Sequence, residues 1–406
     1  MWNKPFGYSE YNLIGVGLIA TGLMLQFSVG AIDWSLISFP ANIVMLCLFI
    51  ALLITMNALK SKVYLFRALS EVRTAVVSIS FVAALTLIMG LIKQDGQQIS
   101  LGEHFSIGLN NMLHAWWFVL PFIWMTICLG MTALRRTFPF RTKNIPFMLN
   151  HWGLFIALTC ATLGNADIQQ LTMQTFPGKA EWRATDDNGM MHELPLAIEL
   201  QQFSIEQYPA RIMIIDNQFG KAQPEKKPQL LTTEEKRGII LDWQIELRKY
   251  YEYAAPVEMN DSVKYVRWGS SGATDAALVT ATNIKTHMTK SGWISCGSYL
   301  FPFNTLKLSN GYSLVMAERE PKKFSSAVKV YTRDERVIKD TIEVNKPLNV
   351  MGWKVYQLDY EKEKGRWSEA SIFKLVKDPW LPSVYVGIFM MLAGAVCLFI
   401  RKNDNR

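Results

Sequence analysis

Apolar residues are not spread evenly along this chain. Five long apolar stretches, at about 12–31, 40–58, 74–92, 112–134 and 147–164, precede residue 166, and a sixth runs over about 379–400. Each has the roughly 17–25 residues that take a helix across a hydrocarbon core. None holds Asp, Glu, Lys or Arg in its apolar centre, where one such charge would cost roughly 2.5–3.5 kcal/mol on the insertion scale. The pattern predicts a bundle of six transmembrane helices.

The block 166–378 follows a different rule. Short segments rich in β-branched, aromatic or other apolar residues recur at Ala197–Phe203, Arg211–Ile215, Gly238–Leu247, Leu306–Leu308, Tyr312–Ala317, Val328–Thr332, Asp340–Val344 and Trp353–Leu358. Pro, Asn-Gly and charged turns separate them, which reads as strands. Asn310-Gly311 signals a hairpin between its two flanking segments. The block therefore predicts a mainly-β domain inserted between spans five and six, built as a sandwich or an open barrel-like sheet pair. The stretch 219–237, with Pro224 and Pro228 around a charged run, is expected to be a mobile loop.

Composition now has a cause. Half of the 406 residues are hydrophobic and 19% are charged, against about 25% in soluble domains, because a nearly uncharged bundle is averaged with a charged domain. The net charge of +8 also has a pattern. Lys60, Lys62, Arg67 and Arg73 follow the second span, Arg135, Arg136, Arg141 and Lys143 follow the fourth, and Arg401, Lys402 and Arg406 follow the sixth. The alternate loops are poor in basic residues. The positive-inside rule then puts both termini in the cytoplasm and 166–378 outside it. The positive charge is thus a topology signal rather than a footprint for nucleic acid. The first span lacks an Ala-x-Ala cleavage site and is expected to be retained.

Cys47, Cys128, Cys160 and Cys397 lie in spans, and Cys296 alone lies in 166–378. That block can hold no internal disulfide. With no Cys-x-x-Cys, a thiol relay is excluded, and with no Cys-x-x-Cys-His the chain is not itself a c-type cytochrome. The chain also lacks a Gly-rich phosphate loop, metal-ligand spacing or a nucleophile motif, so no residue is assigned as catalytic.

Of the five histidines, His104, His192 and His287 read as loop residues. His114 opens the fourth span in His-Ala-Trp-Trp-Phe. Trp116 and Trp117 there suit an interfacial aromatic belt and, with His114, are candidates for contact with a flat cofactor. His151 begins His151-Trp152-Gly153 just inside the fifth span, five residues past Pro146, which is roughly 7–8 Å along a helix. A polar side chain at that depth is costly unless it meets protein, water or a ligand. Two uses stay open: a hydrogen bond to a neighbouring helix, or an axial bond to a haem iron. Gly153 would admit either a flat ring or another helix. If His151 ligates haem, His114 cannot be the second axial ligand, because the two lie at opposite ends of a core about 30 Å thick. The chain would hold half of a site.

From about 69 to 400 the sequence resembles the ResB-type (CcsB-type) proteins of system II cytochrome c biogenesis. The resemblance is densest at Ile342-Glu343-Val344-Asn345-Lys346-Pro347-Leu348, Gly352-Trp353-Lys354-Val355-Tyr356-Gln357 and Asp378-Pro379-Trp380. Leu69–Ala75, Ala115–Phe118 and His151-Trp152-Gly153 resemble the openings of three core spans. The resemblance implies three core spans in 69–165, an extracytoplasmic domain in 166–378, and a last span and tail in 379–406; the two extra spans in 1–68 depart from the simplest family pattern. It also implies that the chain pairs with a CcsA-type membrane protein carrying a tryptophan-rich haem-handling segment, moves haem across the membrane, and presents it for attachment to apocytochrome c. His151 would be a haem-iron ligand, and Trp152, Gly153, His114, Trp116 and Trp117 would lie on the haem's path. Two other readings stay open: a non-catalytic membrane anchor or chaperone for an apocytochrome or haem protein, and a quinol-oxidising b-type cytochrome subunit. The Asn345–Leu348 turn and Trp353 and Trp380 read as structural.

Overall fold

The computed structural model describes residues 6–94, 107–259, 262–308 and 311–403. His104 and Asn310 lie outside these residues. The chain divides into two compact units, one made of 1–169 and 378–406, the other of 170–377.

The first unit is helical. It comprises α1 (Tyr8–Val29), α2 (Ala41–Leu59), α3 (Tyr64–Ala68), α4 (Val72–Leu91), α5 (Trp116–Thr137), α6 (Ile145–Gly164) and α7 (Leu381–Asn403). Among the described residues, six helices are long and apolar enough to cross a membrane, with α3 the short exception. The fourth starts later than its apolar run: Leu109–His114 forms a separate 3-10 turn, and α5 begins at Trp116. α5 is the centre of the unit and packs against α1, α2, α4 and α6. Its small residues let neighbours approach, as where Gly130 meets Leu53 and Phe155.

The helix pair α6–α7 is fastened by glycine. A Cβ on Gly153 would stand 2.6 Å from the Gly387 carbonyl oxygen and 2.8 Å from the Met391 nitrogen, and one on Gly387 would stand 2.5 Å from the Gly153 oxygen. Such small-residue seams replace the hydrophobic drive that helices lack in lipid. Asp167 gathers the segments beside the seam. It accepts from the Phe39 backbone N–H at 2.7 Å, Asn42 Nδ2 at 2.7 Å and Trp380 Nε1 at 2.7 Å.

The second unit is mainly β, with antiparallel strand pairings, one isolated parallel bridge between Pro177 and Leu200, and a 3-10 turn at Lys362–Trp367. Its strands are β1 (Gln169–Thr175), β2 (Ala180–Thr185), β3 (Met191–Gln207), β4 (Arg211–Asp216), β5 (Leu231–Thr232), β6 (Arg237–Ile240), β7 (Trp243–Met259), β8 (Ser262–Arg267) and β9 (Thr274–Asn283). They continue with β10 (Thr289–Ser295), β11 (Leu306–Lys307), β12 (Tyr312–Ala317), β13 (Pro321–Thr332), β14 (Val337–Glu343), β15 (Leu348–Val350), β16 (Trp353–Tyr360) and β17 (Ser371–Lys377). One lobe is an eight-stranded sheet in the order β14-β13-β3-β2-β1-β17-β16-β15. β14 also packs on β15 and β16, so the sheet curls on itself. Strand alternation fills its interior: Leu194, Leu196, Ile198 and Leu200 of β3 meet Val328, Val330, Trp353, Val355 and Phe373. The Asn345–Leu348 turn joins the two sheet edges, with Asn345 at φ +67°.

The other lobe is a sandwich. A five-stranded sheet (β10-β9-β7-β6, with β8 on β7) and a four-stranded one (β11-β12-β4-β5) share a core around Ile212, Ile245, Val279 and Leu314. Because it uses β4 to β12 alone, the sandwich is an insertion between β3 and β13 of the curled sheet. Of the two architectures expected from sequence, the sandwich is present in this lobe, whereas the other lobe is one curled sheet and not a sheet pair. Gly238–Leu247, expected as one strand, is a hairpin. Leu241 takes φ +53° and the chain reverses, pairing Ile240 with Trp243. The stretch 219–237 holds β5, which pairs with β4.

Candidate functional site

His151 sits in the second turn of α6. Its Nδ1 lies 3.0 Å from the Phe147 carbonyl oxygen one turn back, and its ring stacks on the Phe147 ring with centroids 3.6 Å apart. A carbonyl can only accept, so this bond puts the proton on Nδ1. The Nε2 lone pair is left for a ligand, the arrangement that metal-binding imidazoles use. The ring lines a cavity of about 380 Å³ with Phe147, Asn150, Ala395, Leu398 and Phe399. Asn150 returns its Nδ2 to the Pro146 oxygen at 3.0 Å, so the rest of the wall is apolar.

These features fit a haem. The lining is apolar, one neutral imidazole nitrogen is available, and among the described residues no group of three or more His, Cys, Asp and Glu is placed to hold a bare metal ion. A metal at His151 would have to bring its other ligands, as a porphyrin does.

The neighbours of His151 in sequence do other work. Trp152 donates Nε1 to Thr137 Oγ1 at 2.9 Å and packs edge-on against Phe155, within the cluster that joins α6 to α2 and α5. Of the two uses left open for Gly153, helix packing is the one present, since α7 fills the space above it. At the other end of α5, His114 Nδ1 lies 2.8 Å from the Ile32 oxygen. Trp116 Nε1 donates to the Gly30 oxygen at 3.0 Å and Trp117 Nε1 to the Ile107 oxygen at 2.7 Å. His114 and Trp116 tie the start of α5 to the residues that follow α1, and Trp117 ties it to the segment that leads into it. His114 precedes the 22 residues of α5, a length of roughly 33 Å at 1.5 Å per residue, whereas His151 follows α5 on the next helix. The structure does not bring them together.

A second cavity, of about 360 Å³, lies in the β unit between its two lobes. Sequence reasoning missed it. At its base the side chain of Asp275, 4% exposed, faces Arg366 at 3.3 Å and Arg319 at 3.7 Å and accepts from the Tyr250 hydroxyl. Arg319 also holds Glu252 at 2.6 Å. Arg366 donates to the backbone oxygens of Glu252 at 2.7 Å and Ala273 at 3.2 Å, and Trp367 Nε1 adds a 3.0 Å bond to the Ala273 oxygen. Burial pushes the Asp275 carboxyl above the ordinary carboxylate range, against the pull of Arg366. It also pushes up the nearby Cys296 thiol, helped by the Asp275 charge. A thiol so held is a poor nucleophile. The cluster fastens the β16–β17 link and the β12–β13 link of the curled sheet onto β7 and β9 of the sandwich. One sequence signal pointed there: Asp275 stands directly before the apolar run Ala276–Val279 at the start of β9.

Among curated proteins no match to the chain is found. Residues 302–371 match the model of the ResB-like family. That segment runs from just before β11 to the first residue of β17, and it includes Arg319, Arg366 and the Gly352–Gln357 strand that carried the sequence resemblance. The match covers part of the resemblance, Ile342–Leu348 and Gly352–Gln357, and supports a ResB-type protein over that segment.

Proposed function

We propose that this chain is a membrane component of system II cytochrome c maturation, carrying haem across the bacterial inner membrane and presenting it, with a CcsA-type partner, for covalent attachment to apocytochrome c. The family match supports a role in cytochrome c biogenesis, and the six apolar helices support a membrane protein. The finer reading rests above all on one observation, the His151 imidazole fixed by Phe147 with Nε2 available to an apolar cleft.

In this reading His151 would hold the iron from this chain and the partner would supply the other ligand, since among the described residues the other histidine of the helical unit, His114, lies beyond the far end of α5. The bound iron porphyrin supplies the electrophilic vinyl groups for attachment. The chain's own part is to hold the ring out of water, with Phe147, Leu398 and Phe399 against it, until the apoprotein arrives. Both termini are cytoplasmic and the β unit lies outside, where it meets apocytochrome c.

The test is an absorption spectrum of the complex purified with and without His151→Ala. Loss of the haem band in the variant is the expected result. An unchanged haem content would remove His151 as the ligand.

A further inference from the structure

We infer that Arg136 binds a carboxylate arm of the molecule held by His151, so that the acidic edge of the ring faces the basic loop between α5 and α6. The inference rests on the haem reading above and adds to it a residue that sets the ring's orientation. Arg136 is in the last turn of α5, and its guanidinium lies over the Phe147 ring, 5.3 Å from the centroid. Phe147 also stacks on His151 and lines the same cavity. One phenyl ring thus bears both the iron-binding imidazole and a cation.

The cation has no acidic partner of its own. Arg136 is exposed, and among the described residues it makes no ion pair and no side-chain hydrogen bond. Its neighbour Arg135 is used differently, donating Nη1 to the Ser70 oxygen at 3.1 Å. The loop that follows adds Arg141 and Lys143 and contains no acid. Stacking on an aromatic face leaves the N–H edge of a guanidinium free, and that planar fork matches a carboxylate in two parallel bonds. The ligand class is therefore narrower than an apolar molecule. It is a flat apolar ring with carboxylates on one edge, which a tetrapyrrole diacid has and its ester lacks.

The experiment titrates the full chain in detergent with iron(III) protoporphyrin IX and, separately, with its dimethyl ester, following the absorption band. Wild type is expected to bind the diacid about tenfold more tightly than the ester, the worth of one charge-assisted hydrogen-bonded contact. Arg136→Gln should equalise the two, and Arg136→Lys should restore part of the preference. Equal binding of both forms by wild type, or a preference that survives Arg136→Gln, would overturn the inference. So would competition by anionic phospholipid vesicles that removes the diacid preference, because the cation would then serve a lipid headgroup. His151→Ala separates the two readings: it should abolish the iron-ligand band with both compounds. If that band persists while Arg136→Gln still equalises binding, the carboxylate contact stands and the axial assignment falls.

Discussion

The two cavities are nearly equal in size and opposite in chemistry. The helical unit encloses about 380 Å³ with apolar walls and one imidazole nitrogen left over. The β unit surrounds about 360 Å³ above a base where Asp275 faces Arg319 and Arg366 and accepts from Tyr250, while Arg366 donates to the Glu252 and Ala273 backbone oxygens and keeps one nitrogen, Nη1, without a hydrogen-bond partner. Charge content alone would name the second as the active cleft. Accounting for donors and acceptors reverses that order. A buried polar group that is already satisfied fixes structure, and one with a spare lone pair in apolar surroundings awaits a ligand. In the β unit most of these groups are satisfied from both lobes, and Arg366 Nη1, though without a hydrogen bond, is ion-paired to Asp275 at 3.3 Å, so the cluster acts as a fastening.

Three substitutions would break or sharpen that contrast. The largest effect is expected from Asp275→Ala. Removing the carboxylate takes from largely buried Arg366 its nearest charge partner and from Arg319 one of two, Glu252 remaining, at a cost of about 3 kcal/mol. Denaturant unfolding of the β unit, followed by tryptophan fluorescence, should register it. A loss under 1 kcal/mol would mean that the cluster is not a fastening. Haem bound at His151 is expected to be unaffected wherever the variant folds.

Gly153→Leu comes next and acts on the other cavity. The new side chain meets the Gly387 and Met391 backbone, and overpacking of this kind costs about 1–3 kcal/mol. Because α7 supplies Ala395, Leu398 and Phe399 to the cavity wall, haem content should fall while His151 itself is untouched. Retention of full haem content would show that the α7 wall is dispensable.

The smallest effect is one of pH. Asp275 has a raised folded-state pKa, so its folded form binds a proton more readily than its unfolded form. The stability it contributes is present below the ordinary aspartate value and is lost as pH rises through the raised one. Asp275→Asn mimics the protonated form. The melting temperature of the variant relative to wild type should therefore rise as pH is taken from 4 to 7. A constant difference across that range would show that the carboxylate is not strained by burial.

Much of the helical unit could be read from sequence because spanning is a local property. About twenty consecutive apolar residues suffice, and neighbours need not be known. His151 stood out for the same reason, as a polar residue inside such a run. What could not be read was tertiary. Trp152 is one helical step of about 100° from His151, so it faces α5 and not the cavity. Arg136 reaches Phe147 from a different helix. The α7 contact at Gly153 comes from beyond residue 380. In the β unit, strands with clean alternation such as β3 and β13 were visible in part. The reversal at Leu241 was not, because a leucine in the left-handed region replaces the glycine or asparagine that usually announces a turn. The Asp275 cluster draws on residues 250, 252, 275, 319 and 366, which no window of sequence contains.

The glycine seam between α6 and α7 also has a consequence in time. More than 200 residues separate the two helices, and the whole β unit is made between them. At a synthesis rate of about 5–20 residues per second, α6 waits about 10–40 s for its mate. Through that interval His151 has Phe147 beside it but none of the wall that α7 provides. The cleft is therefore the last thing the chain completes, and a ligand of His151 would have no finished berth until translation has passed the β unit.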